Sequence, residues 1–162
     1  MIRLASVALG FTVALSSLPI QVVHAQSASA EAAINQRAAD YIAAWNASDV
    51  DRIMAVFTPA KGWFVNGSTV IPLTDSLRSY LNTTLAARTG HQFKWDRTNV
   101  TMLGDAAALF QGVYGGTVSY KDGRTLEYKA NAALSMLFER RGREWKITAI
   151  HHSAGAGVPV AK

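Results

Sequence analysis

Long period-two segments in the second half of the chain constrain its fold most. Phe93 to Met102, Ala106 to Tyr120, Thr125 to Glu139 and Arg143 to Ser153 each read as a strand. Short turn sequences separate them, at Leu103-Gly104-Asp105, Lys121-Asp122-Gly123-Arg124 and Arg140-Arg141-Gly142-Arg143. Consecutive strands joined by such turns pair antiparallel and form one sheet. Glycines at 112, 115 and 116 fall inside a single strand, where they mark a bulge or a strong bend. Long antiparallel strands bent in mid-length curl into a half-open cone, and another layer must close its wide side.

Period two also assigns faces. On regular strands Phe93, Trp95, Arg97, Asn99 and Thr101 share one face, and Lys94, Asp96, Thr98, Val100 and Met102 the other. In the third long strand the even positions from Leu126 to Phe138 are apolar, whereas Glu127, Lys129, Asn131, Ala133 and Ser135 are polar or small. In the closing strand Trp145, Ile147, Ala149, His151 and Ser153 share a face, and its apolar members turn that face inward.

The first half supplies the closing layer. Ile34, Ala38, Tyr41, Ile42 and Trp45 recur at helical spacing, and Asn46-Ala47-Ser48 breaks that helix. Ser48 or Asp49 caps a second helix with Val50, Ile53, Met54 and Phe57 on its apolar face, stopped by Thr58-Pro59. Gly62 to Ile71 reads as two short strands about an Asn66-Gly67 turn. Thr74 or Asp75 caps a third helix running to about Arg88, with Leu77, Tyr80, Leu81 and Leu85 inward and Gly90 as its terminator.

The ends carry separate signals. Residues 1–25 read as a secretory signal peptide: Arg3, an apolar run from Leu4 to Leu15, and Val23-His24-Ala25 before a cleavage point. The apolar run is short for a span, and Pro19 and Gln21 interrupt the residues after it, so no stable membrane anchoring is expected. Residues 26–30 read as a linker, 31–153 as one domain and 154–162 as a flexible tail. Cleavage would leave 137 of the 162 residues, enough for one core and too few for two. The expected location is periplasmic or secreted. There are no cysteines, which excludes disulfides and thiol chemistry. The net charge of +5 is scattered except at Arg140 to Arg143, which reads as a solvated turn, so no nucleic acid partner is expected.

The expected fold class is α+β, with three N-terminal helices packed on a strongly curved antiparallel β-sheet around an internal pocket. At this level the chain resembles the NTF2-like superfamily, and within it SnoaL-like or DUF4440-type domains. The resemblance rests on Trp45-Asn46-Ala47-Ser48-Asp49-Val50-Asp51 after the first helix, on the helices-then-strands order, and on Gly142-Arg143-Glu144-Trp145-Lys146-Ile147 followed by His151-His152-Ser153. It implies a cone with a pocket, frequent dimers, and roles that range from isomerase, cyclase and hydrolase to assembly modules.

Several residues are candidates for chemistry. His151, on the inward-turned face, is the candidate acid/base, with a buried structural histidine as the alternative. His152 then points outward, to the surface or a subunit interface. Tyr41, Trp45, Trp63, Asn66, Asn131 and Ser153 are candidate ligand contacts. The resemblance to ketosteroid isomerases extends to a first-helix tyrosine, Tyr41. Where those enzymes carry acids this chain carries Asn66 and Asn131, and an amide cannot act as a base. The histidines lack metal-ligand spacing, and there is no glycine-rich phosphate loop, so no metal and no cofactor are expected.

The leading expectation is an exported domain that holds a small, largely apolar molecule. A SnoaL-like enzyme using His151 and a non-catalytic assembly module are the alternatives. Because several strands carry apolar residues on both faces, a homodimer is expected to cover the outer one.

Overall fold

In the computed structural model, residues 19–59, 61–155 and 157–160 are described. Helix α1 spans Pro19–Asn46. Of its expected stripe, Ile34, Ala38, Tyr41 and Ile42 are buried, and Trp45 is half-buried. The helix already includes Gln26 to Ala30, the stretch expected as a linker. The signal-peptide reading falls largely on residues 1–18, outside the described residues.

The Asn46 side chain fastens the end of α1 to the sheet. Its amide Nδ2–H donates to the Phe93 carbonyl at 2.8 Å, and its Oδ1 accepts from the Phe93 N–H at 2.8 Å. One amide side chain thus takes the place of a strand neighbour for Phe93. Ser48, at φ 54°, turns the chain into helix α2, Val50–Ala55. Asp49 caps it by accepting from the Arg52 N–H at 3.0 Å.

Strands β1, Trp63–Asn66, and β2, Thr69–Pro72, form the expected hairpin, with Gly67 at φ 58° in the turn. Helix α3, Asp75–Ala86, is capped by Thr74 and buries Leu77, Leu81 and Leu85. It stops before Arg88, and Gly90 lies inside the next strand, because pairing of Arg88 with Tyr120 has already started the sheet.

The long strands are β3, Arg88–Met102, β4, Ala107–Tyr120, β5, Thr125–Arg141, and β6, Glu144–Ala154. The sheet order is β2-β1-β6-β5-β4-β3. The sheet is mixed, because β1 runs parallel to β6. A short strand β7, Val158–Pro159, pairs with β5 through Leu126 and Glu127, within the stretch expected as a flexible tail.

Besides a register shift between Arg88 and Gly90 at the start of β3, three irregularities interrupt this sheet. In β3 the register steps from Trp95 opposite Tyr114 to Arg97 opposite Val113, leaving Asp96 without a partner. In β6 it steps from Ala149 opposite Leu137 to Ile147 opposite Phe138, leaving Thr148 extra. Between β4 and β5 the register breaks after Tyr114, where Ala130 sits at φ 50° and Gly116 at φ 142°. A Cβ on Gly116 would lie 1.9 Å from the Gln92 carbonyl oxygen, so the bend there requires glycine.

Each single-residue bulge reverses which alternate residues face inward. In β3 the inner face therefore holds Phe93 and Trp95, then Thr98, Val100 and Met102; Arg97, Asn99 and Thr101 do not continue the face of Trp95. In β6 it holds Trp145 and Ile147, then Ile150 and His152. Between the inner face and the helices lies one core, with Phe110, Phe138, Met136, Ile147, Ile53 and Leu81 at its centre.

Candidate functional site

The bulge at Thr148 decides which histidine enters the cone. Counting on from the turn, Trp145 and Ile147 face inward; one extra residue then brings Ile150 and His152 to that face. His151 is exposed on the outer face, opposite Ser135 on β5 and Val65 on β1. The inward reading of His151 and the outward reading of His152 are thus both corrected, for one physical reason.

A cavity lies between the inner face, α1 and α3. It encloses about 550 Å³ of atom-free space, opening included, of which about 60 Å³ admits the centre of a water-sized sphere. At ~10–15 Å³ per water this is room for a few waters or a small, flat molecule. Tyr41, Ile42 and Trp45 reach it from α1, and Tyr80 and Thr84 from α3. Phe64 and Asn66 enter from β1, and Phe93 from β3. Tyr114 and Val118 line it from β4, Tyr128 and Leu134 from β5, and His152 from β6. Arg88, at the start of β3, also lines it. The wall is mostly aromatic: Phe93 meets Tyr114 edge-on at 5.2 Å between centroids and Tyr128 at 6.2 Å.

Tyr114 and His152 form the polar centre. The phenol is hydrogen-bonded to His152 Nε2, and the two rings stack at 5.6 Å with 27° between their planes. Burial pushes the Tyr114 hydroxyl above its usual range, so it stays protonated. Burial first, then the charges of His151 and Arg88, lower His152 to about 4, and the ring is neutral at pH 7. A neutral imidazole has one N–H and one lone pair. With Nε2 engaged by Tyr114, Nδ1 makes no hydrogen bond among the described residues. Tyr41 is also held protonated by burial, and the Trp45 indole N–H comes near its hydroxyl without hydrogen-bond geometry. Asn66, the register partner of His152 across β1 and β6, donates Nδ2–H to the Tyr80 hydroxyl at 3.0 Å.

Of the residues expected at the site, the cavity gathers Tyr41, Trp45 and Asn66. Trp63 is 53% exposed on the outer face. It is three residues from Asn66, and a regular strand puts such a pair on opposite sides. Asn131 is exposed at the β5 irregularity, where its carbonyl accepts from the Gly155 N–H at 3.1 Å. Ser153 is exposed beside Ala133 on the outer face. His152, Tyr114, Tyr128 and Arg88 were not expected there. A signal for His152 exists: the large apolar residues of β6 stand at 145, 147 and 150, and the three-residue gap announces an extra residue. Spacing from Trp95 to Val100 announces the bulge in β3 in the same way.

The comparisons agree with this architecture. The sequence model of the SnoaL-like domain family matches residues 34–157, and the chain belongs to that family. Among solved structures, hexachlorocyclohexane dehydrochlorinase LinA-type3 from Novosphingobium barchaimii LL02 superposes with a TM-score of 0.74 at 12% identity, over 85% of this chain and 94% of that one. A candidate scytalone dehydratase from Novosphingobium aromaticivorans DSM 12444 gives 0.74 at 10% identity, over 86% and 93%. An NTF2-like superfamily protein from Salmonella enterica serovar Typhimurium LT2 gives 0.72 at 16% identity, over 80% and 94%. At such identities the likeness concerns the fold. No curated protein matches the chain in sequence.

Proposed function

We propose that this protein is an exported binding domain that holds a small, flat, largely apolar molecule in its cone. The observation that carries the reading is the cavity itself: a wall of aromatic rings around one neutral hydrogen-bonding pair, Tyr114 and His152. No Asp or Glu is among the described residues that line it. Burial keeps Tyr41 protonated, so it presents a hydroxyl donor to a ligand carbonyl or hydroxyl, while the protonated Tyr114 is paired with His152. Export rests on Arg3, the apolar run and Val23-His24-Ala25, and N-terminal sequencing of the protein from the periplasm or medium tests it. Among the described residues no helix is long and apolar enough to cross a membrane.

Melting the protein against a panel of one- and two-ring aromatic compounds tests binding. A ligand that binds only the folded state raises the midpoint in a concentration-dependent way. Wild type should gain stability with at least one small aromatic, and Tyr114→Phe and His152→Gln should gain less. No gain across the panel sinks the reading.

A second reading has one observation in its favour. The Tyr114–His152 hydrogen bond could pass a proton to or from a bound substrate, as a SnoaL-like enzyme would require. Turnover of a bound compound, lost in His152→Gln while binding persists, would establish it. We further propose a homodimer through the outer face of the sheet. There Trp63, Val65, Val70, Leu109, Leu137 and Ala149 form an apolar groove, with Val70 57% exposed.

A further inference from the structure

Arg88 is the one cationic side chain that lines the aromatic cavity, among the described residues. It makes no ion pair with an Asp or Glu among those residues. Its charge is felt throughout the site. It lowers His91 and His152, and it opposes the upward push of burial on Tyr114 and Tyr128. With no acid on the wall, that charge is unbalanced.

The side chain is also held in place. Arg88 Nη1 lies 3.0 Å from His91 Nε2, and His91 Nδ1 lies 3.3 Å from Ser48 Oγ. A guanidinium has no acceptor, so Arg88 donates, and His91 Nε2 must carry the lone pair. The ring proton then sits on Nδ1 and is donated to Ser48. Burial and the Arg88 charge lower His91 to about 4, in keeping with this neutral tautomer. The guanidinium carbon sits 6.0 Å from the Trp45 ring centroid and 5.8 Å from that of Tyr120. Aromatic faces and one histidine thus fix the cation, and they consume one of its five N–H groups in a directed hydrogen bond.

We infer that the ligand is a small aromatic or otherwise flat carboxylate, its carboxylate paired with Arg88 and its apolar body among the rings of Phe93, Tyr114 and Tyr128. The inference rests on the cavity reading above. Arg88 supplies the planar fork that matches a carboxylate with two parallel hydrogen bonds. His91 is a positioning residue: it acts through Arg88 and touches no ligand. The pairing balances the charge of the site, beside the half-buried Arg88.

The test compares benzoate with benzamide, and phenylacetate with phenylacetamide, by calorimetric or NMR titration of the protein recovered from cells expressing the full chain. Each pair keeps ring and size and differs in charge. Wild type should prefer each acid over its amide by roughly 10- to 100-fold. Arg88→Gln should bring the ratio near one, and Arg88→Lys should keep part of it. His91→Gln should lower the ratio less than Arg88→Gln does. Equal affinity for acid and amide in wild type overturns the inference and leaves the cavity reading standing. A preference that survives in Arg88→Gln also overturns it. Binding of neither series overturns both. Should Arg88→Gln fail to fold, the wild-type ratio and Arg88→Lys decide the question.

Discussion

A histidine walled in by aromatic rings gives up its charge, because a buried imidazolium loses hydration that rings do not replace. His152 and His91 are both in this position, each lowered from 6.5 to about 4. The consequence for stability has a definite sign. Between about pH 6.5 and 4 the unfolded chain binds a proton at each histidine and the folded chain does not, so stability is lost as pH falls through that window. The loss at His152 should be on the order of 2 kcal/mol, allowing for solvent screening. Urea unfolding at about pH 7 and pH 4.5 should show wild type losing more than His152→Gln; equal losses would refute the burial account. The two adjacent histidines also give an internal control. His152→Ala should cost ~1–3 kcal/mol, because it strands the Tyr114 hydroxyl, and should weaken ligand binding. His151→Ala should fall within ~0.5 kcal/mol and leave binding unchanged.

At the scale of elements, the bulges place the site. Helix positions follow directly from stripe and cap: Ile34, Ala38 and Tyr41 on α1, Asp49 at α2, and Thr74 with Leu77, Leu81 and Leu85 on α3 were all legible. The turns were legible too, since Gly67 and Gly123 sit at positive φ in tight connections, but the start of β3 at Arg88 and the short strand β7 were not. Facing directions were legible only as far as the first bulge. Beyond Asp96 and Thr148 a strict alternation assigns every side chain to the wrong face, and it therefore exchanges His151 for His152. The parallel pairing of β1 with β6 is a long-range contact that no local pattern encodes. Gly112 tests the register. It faces inward beside Trp95, and a Cβ there would lie 2.6 Å from Trp95 Cζ3 and 2.9 Å from Phe110 Cε1. Gly112→Ala should therefore cost ~1–3 kcal/mol by overpacking, read from the shift in urea midpoint. A neutral result would mean that Trp95 does not lie against β4 as described.

At the scale of the molecule, a curved sheet has two faces with different tasks. Helices and aromatic side chains cover the inner one and leave a cavity. The outer one bears Trp63 and Val70 among apolar neighbours, and a second copy is proposed to cover it. Sedimentation should find a dimer at micromolar concentration, and Val70→Asp should shift it toward monomer by burying an unpaired charge. A wild-type monomer would contradict that assignment without touching the cavity. The cavity is the central claim, and histidine-selective NMR tests it most directly. A saturating small aromatic ligand should move the ring signals of His152, through ring currents and a new hydrogen bond, and leave those of His151 in place. Shifts at His151 with His152 unmoved, or no shift at either, would contradict the account.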